Sequence, residues 1–173
     1  GSVQGALFNA ANENRNYQNY FLQMEFFLTN NLHLETGIAL NTTQYSLKNV
    51  FDNTLSQSQT YSFGNVWSPR IGLSYKIGDG KNIYTAISKG FSVPAIAETL
   101  TPDGQINTTL KPEICWNYEI GFKGNWLENR IYAELVIFST QIQNLLVARR
   151  TADDQYVGIN AGSSSHPGIE FMI

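Results

Sequence analysis

The sequence predicts an all-β fold, an antiparallel up-and-down transmembrane β-barrel segment of about seven strands. Three observations predict it. Apolar and polar residues alternate with period two in segment after segment, as pleated strands with two unlike faces require. The turns between segments alternate short and long, the wiring of outer-membrane barrels. Charged residues make up 14% of the chain and aromatics 13%, against roughly 25% charged in a typical soluble domain, so groups other than Lys and Glu cover the outside.

The elements follow in order. Gly1 to Asn16 reads as an Asn-rich loop remnant. In the first strand Tyr20, Leu22, Met24, Phe26 and Leu28 share a face opposite Phe21, Gln23, Glu25 and Phe27, and Thr29 to Asn31 reverse the chain. The second sets Leu32, Leu34, Ile38 and Leu40 against His33, Glu35, Gly37 and Asn41. After a polar stretch from Tyr45 to Thr60, the third carries Trp67, Pro69, Ile71, Leu73, Tyr75 and Ile77 opposite Ser68, Arg70, Gly72, Ser74 and Lys76. Gly78 to Lys81 form a hairpin turn rather than a phosphate loop, since no helical pattern follows. Ile83, Thr85 and Ile87 lead the fourth strand, and a long loop spans Phe91 to Glu113. The fifth opposes Trp116, Tyr118, Ile120 and Phe122 to Asn117, Glu119, Gly121 and Lys123, and turns at Leu127 to Asn129. The sixth starts at Ile131 and runs toward Arg149 and Arg150, with its parity blurred near Ile142. From Val157 to Ile173 the odd positions keep one phase, which predicts a single long last strand. Short turns at Asn30, Gly80 and Glu128 are expected on the periplasmic side, and the stretches around Phe51, Thr101 and Asp153 outside.

Several function classes fall away. A net charge of −3 and a pI near 5.3 leave no basic footprint for nucleic acid. The lone Cys115 excludes an internal disulfide and a cysteine-built zinc site. The longest apolar runs, Leu135 to Phe138 and Leu145 to Ala148, fall far short of the ~20 residues of a spanning helix. His33 and His166 share no ligand spacing, so neither a metal nor a cofactor is expected. Asp153 and Asp154 fit a solvated turn. Asn41-Thr42-Thr43 and Asn107-Thr108-Thr109 match glycosylation acceptors, which matter only in a eukaryotic secretory setting. No nucleophile, base and orienting group form a set, so an enzyme is not expected. Gly1 and Ser2, without an initiator Met or a signal peptide, suggest a processed or excised chain.

Periodicity alone does not separate a membrane barrel from a soluble β-sandwich, which also alternates but buries its apolar face against a second sheet. The membrane reading is favoured by Glu35, Arg70, Lys76, Glu119, Lys123 and Glu134 on the polar face, and by Trp67, Trp116 and Trp126 near segment ends, where an interfacial girdle sits. Two rivals stay open at this point: a complete small barrel of about eight strands, and a soluble β-sandwich carbohydrate-binding module using the tryptophans as a sugar platform.

From Trp67 to Phe171 the chain resembles the barrel of TonB-dependent receptors. The resemblance rests on five motifs in order: Trp67 to Tyr75 with its Pro69-Arg70 pair; Ile83 to Pro94 with Glu98 after it; Leu110-Lys111-Pro112-Glu113 followed by Asn117 to Gly121; Asn160-Ala161-Gly162; and Gly168-Ile169-Glu170. It implies a partial β-barrel domain over 1–173, a share of a barrel of about 22 strands with a plugged lumen. The family's N-terminal plug and energy-coupling box are not in this sequence. Glu98 to Pro102 echoes that box only superficially, because it falls in an extracellular loop.

The resemblance further implies a bacterial outer-membrane location and energised uptake of a scarce ligand, a ferric siderophore or other iron chelate first. The implied partners are outer-membrane lipid, the receptor's own plug domain, the TonB complex and a small-molecule cargo. Within this chain the long loops at Tyr45 to Thr60 and Phe91 to Glu113, with Arg149 and Arg150 as anion partners, are the expected ligand contacts. Glu113 and Glu119 are expected to be lumen or rim charges that fix barrel and plug rather than cargo ligands, and Pro94 and Pro112 to sit at strand ends where a missing amide donor is harmless.

Overall fold

The computed structural model describes residues 11–49, 58–101, 105–151 and 156–173. Among these residues nine strands run β1 (Ala11–Phe27), β2 (Leu32–Asn49), β3 (Ser58–Gly78), β4 (Lys81–Ser92), β5 (Glu113–Trp126), β6 (Ile131–Gln143), β7 (Leu146–Arg150), β8 (Tyr156–Asn160) and β9 (Ser163–Met172). One helical turn, α1 (Ile96–Thr99), lies between β4 and β5. Seven strands form one antiparallel sheet in the order β1-β2-β3-β4-β5-β6-β9, and β7 pairs with β8 alone. Three of the six neighbouring pairs, β1–β2, β3–β4 and β5–β6, are joined by two to four residues and can only pair as hairpins.

Register carries the alternation across the whole sheet. Phe26, Leu34, Leu73, Thr85, Ile120, Ile137 and Ile169 fall in one row, and Glu25, Glu35, Gly72, Ala86, Glu119, Phe138 and Gly168 in the next. A slip of one residue would exchange the two faces, so the apolar row fixes the pairing. The polar face curves around a hollow of about 510 Å³ lined by residues of β2 to β5, among them Glu35, Arg70 and Glu119. It is therefore the inner face.

Nothing among the described residues packs on the other face, where Leu22, Ile38, Ile71, Ile120, Ile137 and Ile169 are each 43–70% exposed. A sandwich would bury this row under a second sheet, and no such layer exists among the described residues. The edges β1 and β9 do not pair with each other, so the chain does not close into a small barrel. Trp116 and Trp126 both lie on the outer face, ten residues apart. At ~3.3 Å per residue and a tilt of roughly 40° they are separated by ~25 Å of height, the thickness of the apolar band that aromatic girdles bracket. Tyr20 and Trp67 flank Leu40 at the level of the outer girdle.

All short turns share one end. Leu127, Glu128 and Asn129 take φ of 49°, 57° and 65°, and Gly80 takes 68°, the left-handed values that tight reversals demand. At the other end the strands outgrow the ~9–11 residues needed to span a bilayer, with β2 at 18 and β3 at 21 residues.

This excess length overturns several expectations. The loop remnant predicted over 1–16 is strand from Ala11 onward, paired residue by residue with β2; residues 1–10 lie outside the described residues. The polar stretch from Tyr45 to Thr60 is likewise strand up to Asn49 and again from Ser58. Both segments are polar because they rise beyond the lipid, where pairing continues but an apolar face is no longer required. A bulge opposite Thr43 adds one residue at Gly64 (φ 74°) and inverts the side-chain phase of β3 above it. The sixth strand does not run unbroken to Arg150: it ends at Gln143, and Asn144 takes φ 56°. The last strand is broken in the matching place, at Gly162 with φ 74°. Two residues on each side fill the break between the pairs Gln143↔Ser163 and Leu146↔Asn160, so the register passes through it intact. This is why the odd-position phase persisted across it in the sequence.

Candidate functional site

The inner wall is held by a ladder of polar contacts. Arg70 Nε lies 3.3 Å from Glu35 Oε1, one step diagonally across β2 and β3. Glu134 accepts from Tyr84 Oη at 2.8 Å and Tyr132 Oη at 2.7 Å, while Lys123 Nζ sits 5.2 Å from the centre of the Tyr84 ring. The outer end of the Tyr84 ring lies over Gly121, where a methyl group would overlap it, and the end of the Phe138 ring covers Gly168 likewise. Glycine is required at both positions by this close approach. Thr140 Oγ1 donates to Asn117 Oδ1 at 2.8 Å.

Above the girdle, the connection from β4 to β5 folds onto the inner face. Tyr45 Oη donates to Pro94 O at 2.6 Å, Tyr61 Oη to Leu110 O at 3.1 Å, and Ile106 N to Gln59 Oε1 at 2.8 Å. Tyr45, Leu47, Thr99, Ile106 and Leu110 become buried as a result, and they form most of the small core of the described residues. Within the connection Glu98 accepts from Ala95 N at 2.7 Å and closes the first turn of α1.

The far side of this cap is fastened to the β7–β8 hairpin. Asn160 accepts from Lys111 N at 2.8 Å and donates to Lys111 O at 2.9 Å and Asn144 O at 2.7 Å. Asn144 Nδ2 donates to Pro112 O at 3.2 Å, and Glu113 Oε1 accepts from Leu146 N at 2.7 Å. Asn107 Nδ2 donates to Gly158 O at 3.3 Å, and Gly158 leaves no room for a Cβ beside Glu98 O. Leu110 thus stands between Tyr61 of β3 and Gly158 of β8, so one loop ties the second hairpin to the last.

The expected site residues are placed as follows. Arg149 and Arg150 sit exposed at the outer tip of β7, opposite Val157 and Tyr156, and as neighbours in a strand they point to opposite faces. Glu113 accepts from the backbone of Leu146, and Glu119 lies on the inner wall. His33 stacks on Phe27 and approaches Glu25 at 3.6 Å near the short-turn end. His166 bonds Ser164 on β9, and no metal-binding cluster occurs among the described residues. Asp153 and Asp154 lie outside the described residues. The segment Glu98 to Thr101 is in the outer cap, opposite the short turns. Missed from sequence was Arg15, whose Cζ lies 5.5 Å from the Tyr17 ring centre and 5.8 Å from that of Tyr45. The signal was present, since Arg15, Tyr17, Phe21 and Gln23 share one parity, but it lay in a segment read as loop.

A bare apolar exterior bracketed by aromatics, a charged and hollow interior, and strands that overshoot the lipid on one side define the class: this is wall from a large bacterial outer-membrane β-barrel. The family model for the TonB dependent receptor-like β-barrel matches residues 1–173, and the chain belongs to that family. Its members are receptors and transporters, not enzymes. The chain is 25% identical over 148 residues to the ferric-pyoverdine 358 receptor of Pseudomonas putida, covering 83% of this chain and 16% of that protein. Its fold is similar to that of the ferric-catecholate import receptor Fiu of E. coli K12, with a TM-score of 0.70 at 19% identity over 93% of this chain and 25% of that one. The copper transporter OprC gives a TM-score of 0.72 at 14% identity, over 91% and 26%. The chain thus spans about a sixth to a quarter of the length of these proteins, and its fold is similar to the wall of both a ferric-catecholate receptor and a copper transporter.

Proposed function

We propose that this wall serves a receptor for the energised uptake of a ferric siderophore. The observation that carries the reading is the match to the ferric-pyoverdine receptor over 83% of the chain, on a wall whose inner face is charged and whose outer cap is built from polar and aromatic groups. In this reading a plug domain of the same receptor fills the lumen and meets Glu35, Arg70, Glu119 and Lys123, and the TonB complex displaces it from the periplasmic side. Cargo meets the cap first, with Arg149 and Arg150 at the hairpin tip as contacts for its anionic groups. The test is uptake of radiolabelled ferric pyoverdine by cells carrying the parent receptor, with and without the proton gradient. Uptake that requires both receptor and gradient supports the reading, and gradient-independent leakage refutes it. Unchanged affinity in the Arg149→Ala, Arg150→Ala double variant removes those two residues from the contact set.

A further inference from the structure

We infer that Arg15 is the charge-selecting residue of the outer vestibule, an anion-binding element that takes the oxyanion groups of a negatively charged chelate. The inference rests on the uptake reading above. Arg15 stands on the inner face of β1, opposite Tyr45 and five residues beyond Tyr20 of the girdle, which at ~3.3 Å per residue is ~16 Å along the strand and outside the lipid.

Its guanidinium lies over two rings, those of Tyr17 and Tyr45. Both rings are themselves fixed: Tyr17 Oη donates to Asn41 Oδ1 at 2.9 Å, Tyr45 Oη donates to Pro94 O, and Phe63 meets the Tyr45 ring edge-on with centroids 5.3 Å apart. Asn41 and Tyr45 are 3% and 1% exposed, so the Tyr45 ring is anchored in the cap, while Tyr17 is 48% exposed and tethered through its hydroxyl. Two rings within 6 Å hold the guanidinium in place while Arg15 itself stays exposed, and a planar guanidinium with accessible N–H donors receives a carboxylate or catecholate in bidentate fashion.

The charge is also unspent. Among the described residues the carboxylate ion pairs engage His33, Arg70 and Lys76, and none engages Arg15, although Glu13 shares its face two residues away. An exposed cation beside two aromatic rings, and without a carboxylate ion pair among the described residues, is poised for a ligand.

The experiment measures binding and uptake of three labelled ferric complexes by the parent receptor in outer-membrane vesicles: ferric pyoverdine, an anionic tris-catecholate and an uncharged tris-hydroxamate. The variants are Arg15→Met, which keeps the stem, and Arg15→Lys, which keeps the charge. Loss of one charge-assisted bidentate contact predicts about ten-fold weaker binding of the anionic complex that the receptor takes up, partly restored by Lys. The maximal uptake rate at saturation, and whatever affinity there is for the uncharged complex, stay unchanged. Unaltered affinity in Arg15→Met, or an equal loss for charged and uncharged complexes, overturns the inference while leaving the uptake reading intact. If the unsubstituted receptor takes up none of the three, the uptake reading fails and the inference with it.

Discussion

Replacing Asn160 by Asp swaps one amide nitrogen for oxygen and should release the outer cap. The Asn160 side chain makes three hydrogen bonds, one accepted from Lys111 N and two donated to Lys111 O and Asn144 O. Aspartate retains the first and turns the other two into contacts between a carboxylate oxygen and two carbonyl oxygens. Each lost bond contributes about 1 kcal/mol net, and partial solvent access keeps the total near 2 kcal/mol rather than the larger cost of a fully buried group. Opening of the β7–β8 hairpin should therefore become about 30-fold more frequent. Amide hydrogen exchange of the detergent-solubilised parent receptor reads this directly, through Leu146 to Arg150 and Tyr156 to Asn160. Amides of β3 and β4 below the girdle should exchange at their original rates. Unchanged protection of the hairpin would refute the clamp, and a loss of protection spread evenly over the sheet would refute its local character.

Other outcomes follow from the two faces. Ile120→Arg, midway between the two girdle tryptophans, should cost about 2–4 kcal/mol in refolding into lipid, whereas Ala86→Arg, on the inner face opposite Glu119, should stay within about 1 kcal/mol; equal costs would contradict the assignment of faces. In variants retaining a single tryptophan among these three, Trp67, Trp116 and Trp126 should be quenched by lipids brominated near the headgroup and weakly by lipids brominated at the chain ends, as fluorescence will report. Gly121→Ala should displace the Tyr84 ring, weaken its bond to Glu134 and lower stability by about 1–2 kcal/mol in urea titration, and Tyr84→Ala should abolish that sensitivity.

The membrane-spanning part of the fold was legible because its information is local. In β3 to β5 each strand states its own period, and a two-residue turn such as Asp79-Gly80 states its own reversal. The outer part was not, because its order comes from contacts about fifty residues apart, such as Tyr45 with Pro94 and Lys111 with Asn160. No periodicity records that a backbone carbonyl in a loop waits for a tyrosine in a distant strand. The inverted phase above Gly64 hid Tyr61 and Phe63 from a parity count begun at Trp67, and the left-handed turn at Asn144 surfaced only as blurred alternation near Ile142. Lys111, Glu113 and Asn160 were visible as motifs, but their meeting in one clamp needed coordinates. Arg15 was lost for a simpler cause: polar strand beyond the bilayer looks like loop.

The extra residue at Gly64 divides β3 into two independent reading frames. Inside the lipid, odd positions such as Ile71 serve the acyl chains; outside it, odd positions such as Tyr61 serve the cap. Excising that one residue would leave a hairpin of nearly the same length yet rotate the distal arm by half a turn, throwing Tyr61 and Phe63 toward the headgroups and stripping Leu110 of its support. Residues added or removed in pairs beyond Gly64 would preserve the distal frame. The bulge thereby insulates the lipid-facing stretch from changes in the solvent-exposed rim, so that the rim can be rebuilt for new cargo while the cylinder beneath it keeps its alignment.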